Sequence, residues 1–132
     1  MNQTPSAGSE RVELDAAALA RLRELDPDGR HGVLRRVLLA FETSLSRMLE
    51  QLAAAREGGD PGVVASVAHT LKSSSASVGA MALSSTCAEV EHRLRTGQAG
   101  SLSGDIEQMC RDGESALATV KAMLQHRSGT SR

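Results

Sequence analysis

The sequence predicts an all-α protein, an antiparallel four-helix bundle with an additional short N-terminal helix. Three observations carry that expectation. Apolar residues recur at alternating spacings of four and three through most of the chain, the repeat of a helix that buries one stripe. No segment alternates apolar and polar residues as a half-buried strand does. Phe41 is the only aromatic, with Trp and Tyr absent, so the core must be built from Leu, Val, Ala and Met.

The elements follow in order. Residues 1–13 are mostly small and polar and read as a flexible tail. The first helix is short, 15–25, with Asp15 in the N-cap position and Leu19, Leu22 and Leu25 on one stripe. Asp26-Pro27-Asp28-Gly29 breaks it. The second helix is long, 32–56. Its Leu34, Leu38, Phe41, Leu45, Met48 and Leu52 form the seam that left-handed helix packing requires. Gly58-Gly59 ends it, and Asp60-Pro61 starts the third, a cap followed by proline at the first helical position. The third runs to Val78 and stops at Gly79. The fourth, 81–96, carries Leu83, Cys87, Val90 and Leu94, with Gly97 as its C-cap. The fifth, 102–126, uses Leu102, Ile106, Met109, Leu117, Val120 and Leu124. The bundle domain is therefore set at 14–126, with a second polar tail at 127–132.

Composition removes several function classes. The 132 residues suit one domain. A net charge of -1 leaves no basic footprint for nucleic acid, and a chain with one aromatic has no stacking platform for single strands. No apolar run approaches the roughly 18 residues of a membrane span, and no signal peptide is visible, so the expected location is the cytoplasm, without membrane contact. Cys87 and Cys110 match no metal or redox spacing and read as reduced core thiols. The heptad-like seams are satisfied inside one bundle, so the expected state is a monomer. A dimer would need a further exposed apolar stripe, for which the first helix is the candidate.

The chemistry concentrates on the third helix. On a wheel of about 100° per residue, Val64, Val67, Ala68, Leu71, Ser75 and Val78 cluster as the buried stripe, and His69 lies about 140° from its centre. Within two turns on the His69 face stand Ala65, Ser66, Lys72, Ser73 and Ala76, all small except Lys72. The pattern presents an imidazole clear of its neighbours with an ammonium beside it. A neutral imidazole is a competent covalent nucleophile near neutral pH. The plainer alternative is an ordinary polar residue on a polar helix face. His31, His92 and His126 share no metal-binding spacing and read as surface or capping groups.

The run Ala68-His69-Thr70-Leu71-Lys72-Ser73-Ser74-Ser75-Ala76-Ser77-Val78-Gly79-Ala80 resembles the phosphohistidine signature of histidine-containing phosphotransfer (HPt) domains, A-H-x-L-K-G-x-[SA]-x-x-x-G-A. Cys87-Ala88-Glu89-Val90-Glu91 is similar to the family's C-x-x-[LV]-E stretch on the following helix. One departure stands out: Ser73 occupies the position where the family usually has glycine.

The resemblance implies phosphorelay signal transduction. His69 would take a phosphoryl group from a receiver-domain aspartate and pass it to another receiver aspartate. Lys72 would stabilise the phosphoryl oxygens, Ser73 would lie beside the ring, and Glu91 would accept a hydrogen bond from the non-reacting ring nitrogen, unless it is an ordinary solvated charge. The partners implied are response-regulator receiver domains and a hybrid sensor kinase, from which the chain is either free-standing or excised. No cofactor of its own is expected, the receiver supplying Mg²⁺, and no autonomous enzyme activity, since no nucleotide-binding loop is visible. Two alternatives stay open: a chemotaxis-kinase-type substrate domain phosphorylated by an ATP-bound kinase, and a non-catalytic helical binding module.

Overall fold

The computed structural model describes residues 14–97 and 102–130, with side chains through 125. Every regular element among these residues is helical: α1 (Ala16–Glu24), α2 (Val33–Gly58), α3 (Pro61–Ser77), α4 (Met81–Thr96) and α5 (Leu102–Thr130). The all-α expectation holds. Helix α2 packs against α3 and α5, and α4 packs against the same two helices, so the four close a ring. Links too short to cross the bundle join α2 to α3 and α3 to α4, which makes those neighbours antiparallel.

The core sits where the apolar spacing put it. Leu34, Leu38, Phe41, Leu45, Met48 and Leu52 of α2 are all buried. Each fully buried leucine contributes about 1.5–3 kcal/mol over an exposed one. On α5, Ile106, Met109, Val120 and Leu124 are buried, and Leu102 and Leu117 pack half-buried at the edge. Cys87 is buried and Cys110 half-buried, both as free thiols.

The helix ends show the capping chemistry of the sequence. Asp15 Oδ2 accepts from the Ala18 N–H at 3.0 Å and Asp60 Oδ1 from the Gly62 N–H at 3.0 Å. The start of α2 differs from the sequence reading. Its N-cap is Gly32, which offers no side chain. Asp26, read from sequence only as part of a helix breaker, fills that role from a distance: its Oδ2 accepts from the N–H groups of His31 at 3.1 Å and Val33 at 3.2 Å. Burial disfavours the Asp26 charge, but these backbone donors and the nearby His31 outweigh it and hold the carboxyl below its usual range.

The α3–α4 turn positions the functional face. Ala80 N–H donates to the Ser75 carbonyl at 2.8 Å and Gly79 N–H to the Ala76 carbonyl at 3.1 Å, the paired bonds of a Schellman motif. Gly79 takes φ +86°. A Cβ there would stand 2.5 Å from the backbone nitrogen of Asp15, because the Asp15 N–H donates to the Gly79 carbonyl at 2.7 Å. This one glycine lets α3 end, α4 begin and α1 dock at a single point.

Residues 127–130, expected in the C-terminal tail, continue α5 through Thr130. They contain no proline, and a formed helix adds residues at little cost. The tail expectations for 1–13 and 131–132 lie outside the described residues.

Candidate functional site

Helix α3 is two-faced, as its wheel predicted. Val64, Val67, Ala68, Leu71, Ser75 and Val78 are buried, while the His69 side chain is 71% exposed. Along the His69 row stand Ala65 one turn before it and Ser73 and Ala76 one and two turns after. Ser73 is exposed and Ala65 and Ala76 are half-buried. No long side chain of α3 rises beside the ring on this row.

Helix α4 adds the carboxylate that contacts the ring. Glu91, only 16% exposed, reaches across the seam and bridges two groups of α3: its Oε2 lies 2.7 Å from His69 Nδ1 and its Oε1 2.7 Å from Lys72 Nζ. His69 and Lys72 sit three residues apart and so share a helix face, where one carboxylate spans both. The hydrogen bond from Lys72, then that from His69, hold the Glu91 carboxyl below the usual carboxylate range against the opposing effect of burial. An ionised carboxylate can only accept. The 2.7 Å contact therefore assigns the ring proton to Nδ1 and leaves the Nε2 lone pair of a neutral ring free at the surface.

A second link joins the same two helices. Ser84 Oγ donates to the backbone carbonyl of Lys72 at 2.8 Å. Sequence reading missed this residue. The signal was present in its spacing, since Ser84 lies two turns before Glu91 on the same face of α4.

Of the four residues singled out from sequence, His69, Lys72 and Glu91 are brought into one hydrogen-bonded group. Ser73 stands apart from it, and its carbonyl accepts from Ser77 Oγ at 3.1 Å. His31 contributes its backbone N–H to Asp26, and His92 Nδ1 lies 3.4 Å from Arg95 Nη2. The His126 side chain lies outside the described residues. Among the described residues, no three or more His, Cys, Asp or Glu side chains are grouped to hold a metal ion.

Two turns past His69, an open apolar groove runs between α3 and α1. It is lined by Ala18 and Leu22 of α1, by Leu25 at its C-cap and by Ala76 and Ser77 of α3, and Leu25 is 69% exposed.

The comparisons with known proteins meet this geometry. The sequence model of the Hpt domain matches residues 36–128. This chain belongs to the Hpt domain family. The crystal structure of histidine-containing phosphotransfer protein B (HptB) from Pseudomonas aeruginosa PAO1 is similar in fold and sequence. It superposes with a TM-score of 0.72 at 30% identity, over 86% of this chain and 95% of that one. No curated protein sequence matches the chain.

As an Hpt domain the chain functions in histidine phosphotransfer within phosphorelay signalling, as an intermediate carrier of the phosphoryl group. Hpt proteins interact with receiver domains of response regulators. Among the described residues, no helix is long and apolar enough to cross a membrane.

Proposed function

We propose that His69 Nε2 is the phosphoryl acceptor of this Hpt domain, taking the group from a receiver aspartate and returning it to another. The observation that carries the reading is the pairing of an exposed ring with a carboxylate on its inner nitrogen: 71% exposure of His69 and 2.7 Å from Nδ1 to Glu91. The Nε2 lone pair attacks phosphorus, the N–P bond forms, and the P–O bond to the donor breaks to regenerate a free aspartate. The ring keeps its Nδ1 proton and becomes cationic, and Glu91 lies where that positive charge develops. Return transfer reverses each change. Positioning and charge neutralisation do most of the work in such transfers.

The partner surface is the His69 row of α3, extended by the apolar groove against α1. The exposed Leu25 argues for including α1. Ser73, small and exposed one turn from His69, leaves room for the receiver as the usual glycine would. The receiver brings the Mg²⁺ and its own charged side chains. We assign the donor to the receiver of a hybrid sensor kinase, the location to the cytoplasm and the working form to a monomer.

Incubation with a phosphorylated receiver and Mg²⁺, wild type beside His69→Gln, tests the reading. The expected result is an acid-labile, base-stable label on the wild type, absent from a His69→Gln protein that remains folded. Labelling that persists in the variant removes His69 from the role. Labelling by an ATP-charged kinase domain but by no receiver replaces the relay with the kinase-substrate alternative.

A further inference from the structure

The family usually has glycine where this chain has Ser73. The replacement puts a hydroxyl one turn after His69, at an exposed position. On the helix wheel Ser73 stands about 40° to one side of His69 and Lys72 about 60° to the other. The Lys72 side belongs to α4, whose Glu91 lies 2.7 Å from both His69 Nδ1 and Lys72 Nζ. Ser73 stands on the opposite flank of the ring.

The hydroxyl of Ser73 is not used within the helix. Hydroxyl groups inside helices often bond back to the carbonyl four residues earlier. Ser77 Oγ donates in this way to the Ser73 carbonyl at 3.1 Å, Thr96 Oγ1 to the His92 carbonyl at 2.9 Å and Thr119 Oγ1 to the Ser115 carbonyl at 3.1 Å. The matching acceptor for Ser73 is the carbonyl of His69, and that bond is not made. Among the described residues, Ser73 Oγ has no hydrogen-bond partner. A donor without a partner therefore stands one turn from the exposed ring.

We infer that Ser73 is a phosphoryl-binding residue, whose hydroxyl donates a hydrogen bond to an oxygen of the group carried on His69 Nε2. The inference rests on the reading of His69 as the acceptor and deepens it.

Helix geometry favours the contact. Each Cα–Cβ bond tilts toward the helix N-terminus, so the Ser73 side chain leans back over the turn that holds His69. The two Cβ atoms of such a pair lie about 5–6 Å apart, within reach of a group that extends outward from the ring. Glu91 occupies the Nδ1 side, which leaves the Nε2 side to Ser73. The phosphoryl oxygens are anionic, and a hydroxyl bonds an anionic oxygen more strongly than a neutral one. Glycine at this position would leave the same room and supply no donor. The bond exists only in the phosphorylated protein. It therefore stabilises the phosphohistidine relative to the aspartyl phosphate of the receiver and moves the resting position of the phosphoryl group toward this chain.

The partition of the group between the two proteins measures that shift. Ser73→Ala removes the hydroxyl and keeps a good helix former, while Ser73→Gly removes the hydroxyl and weakens the helix. Each variant is mixed with a phosphorylated receiver and Mg²⁺, and the ratio of phosphohistidine to aspartyl phosphate is read once it stops changing. Affinity for the unphosphorylated receiver is titrated in parallel, and His69→Gln is run beside them.

The expected result is a ratio shifted about fivefold toward the receiver in both Ser73 variants, within the range for one net hydrogen bond, with unchanged affinity for the unphosphorylated receiver. A shift in Ser73→Gly alone overturns the inference and leaves the serine a role in helix stability. Weaker docking of Ser73→Ala with an unchanged ratio also overturns it and assigns the hydroxyl to the receiver surface. Label that survives in His69→Gln removes the acceptor reading and this inference together. Label lost in His69→Gln, with the wild-type ratio kept in Ser73→Ala, removes this inference alone.

Discussion

Where α2 packs on α5, the helices meet through Leu45, Leu49 and Gly113, and a Cβ on Gly113 would come 2.7 Å from Leu49 Cδ2. Where α3 packs on α4, the contact is built differently. Small residues such as Ala68, Ser75 and Ala80 are buried on or beside it, and its solvent edge carries the Ser84–Lys72 bond and the Glu91 bridge. The first seam is apolar packing. The second gathers polar groups beside one imidazole. A close approach serves stability in one place and lets a carboxylate span two helices in the other. Burial also makes the α4 thiol unreactive: desolvation, with smaller effects from Asp112 and Glu91, pushes Cys87 up to about 12.

If the seams divide labour in this way, Leu45→Ala should have the largest effect on folding and little on chemistry. Leu45 is fully buried, and its truncation should cost about 2–5 kcal/mol. Chemical denaturation should show that loss, while the transfer rate per folded molecule stays at the wild-type value. A folded but inactive Leu45→Ala would break the comparison.

Gly79→Ala should cost less, about 1–3 kcal/mol, the range for strain at a special backbone angle. It puts a methyl group against the Asp15 backbone at φ +86°. The melting temperature should drop and amide exchange in α1 should rise first, because α1 is tied to that turn. Uniform exchange across the protein would show that the docking of α1 does not depend on the turn.

Acid sensitivity should arise at the α3–α4 seam and at the Asp26 cap of α2. Glu91 has a folded-state pKa below its unfolded value. Its contribution to stability is therefore complete above the unfolded carboxylate pKa of about 4.3 and lost as pH falls through the lowered folded value. Asp26 follows the same sign. Stability measured from neutral to acid pH should fall less steeply in Glu91→Gln, with the slope from Asp26 remaining. Identical acid limbs would mean that the bridge adds nothing to folding.

Leu25→Glu should have the smallest effect on the fold, within about 0.5 kcal/mol, as for an exposed position without special contacts. Leu25 is 69% exposed. Titration with a phosphorylated receiver should instead show weaker binding. Unchanged binding would remove the α1 groove from the partner surface.

Much of this was legible beforehand because helical periodicity is a local property. The α2 seam, the buried and exposed faces of α3 and the capping by Asp15 and Asp60 each depend on residues within a few positions of one another, and all appear in the structure. Asp26 was harder to read. Its capping of α2 requires a turn that folds a carboxylate back over residues five and seven positions later, and no periodicity encodes that turn. Ser84 and Lys72 are twelve residues apart on different helices, so their bond depends on the register between α3 and α4.

The sequence by itself determined that the chain makes helices, which stripe each helix buries, and that His69 faces away from the core. Tertiary structure decided what surrounds the ring. Glu91 lies twenty-two residues from His69, and the turn at Gly79 together with the close packing of α4 brings its carboxylate between Nδ1 and Lys72. Hydrogen-bond partners are set by distances of a few tenths of an ångström. Such distances follow from how two helices settle against each other, a property that neither helix carries alone.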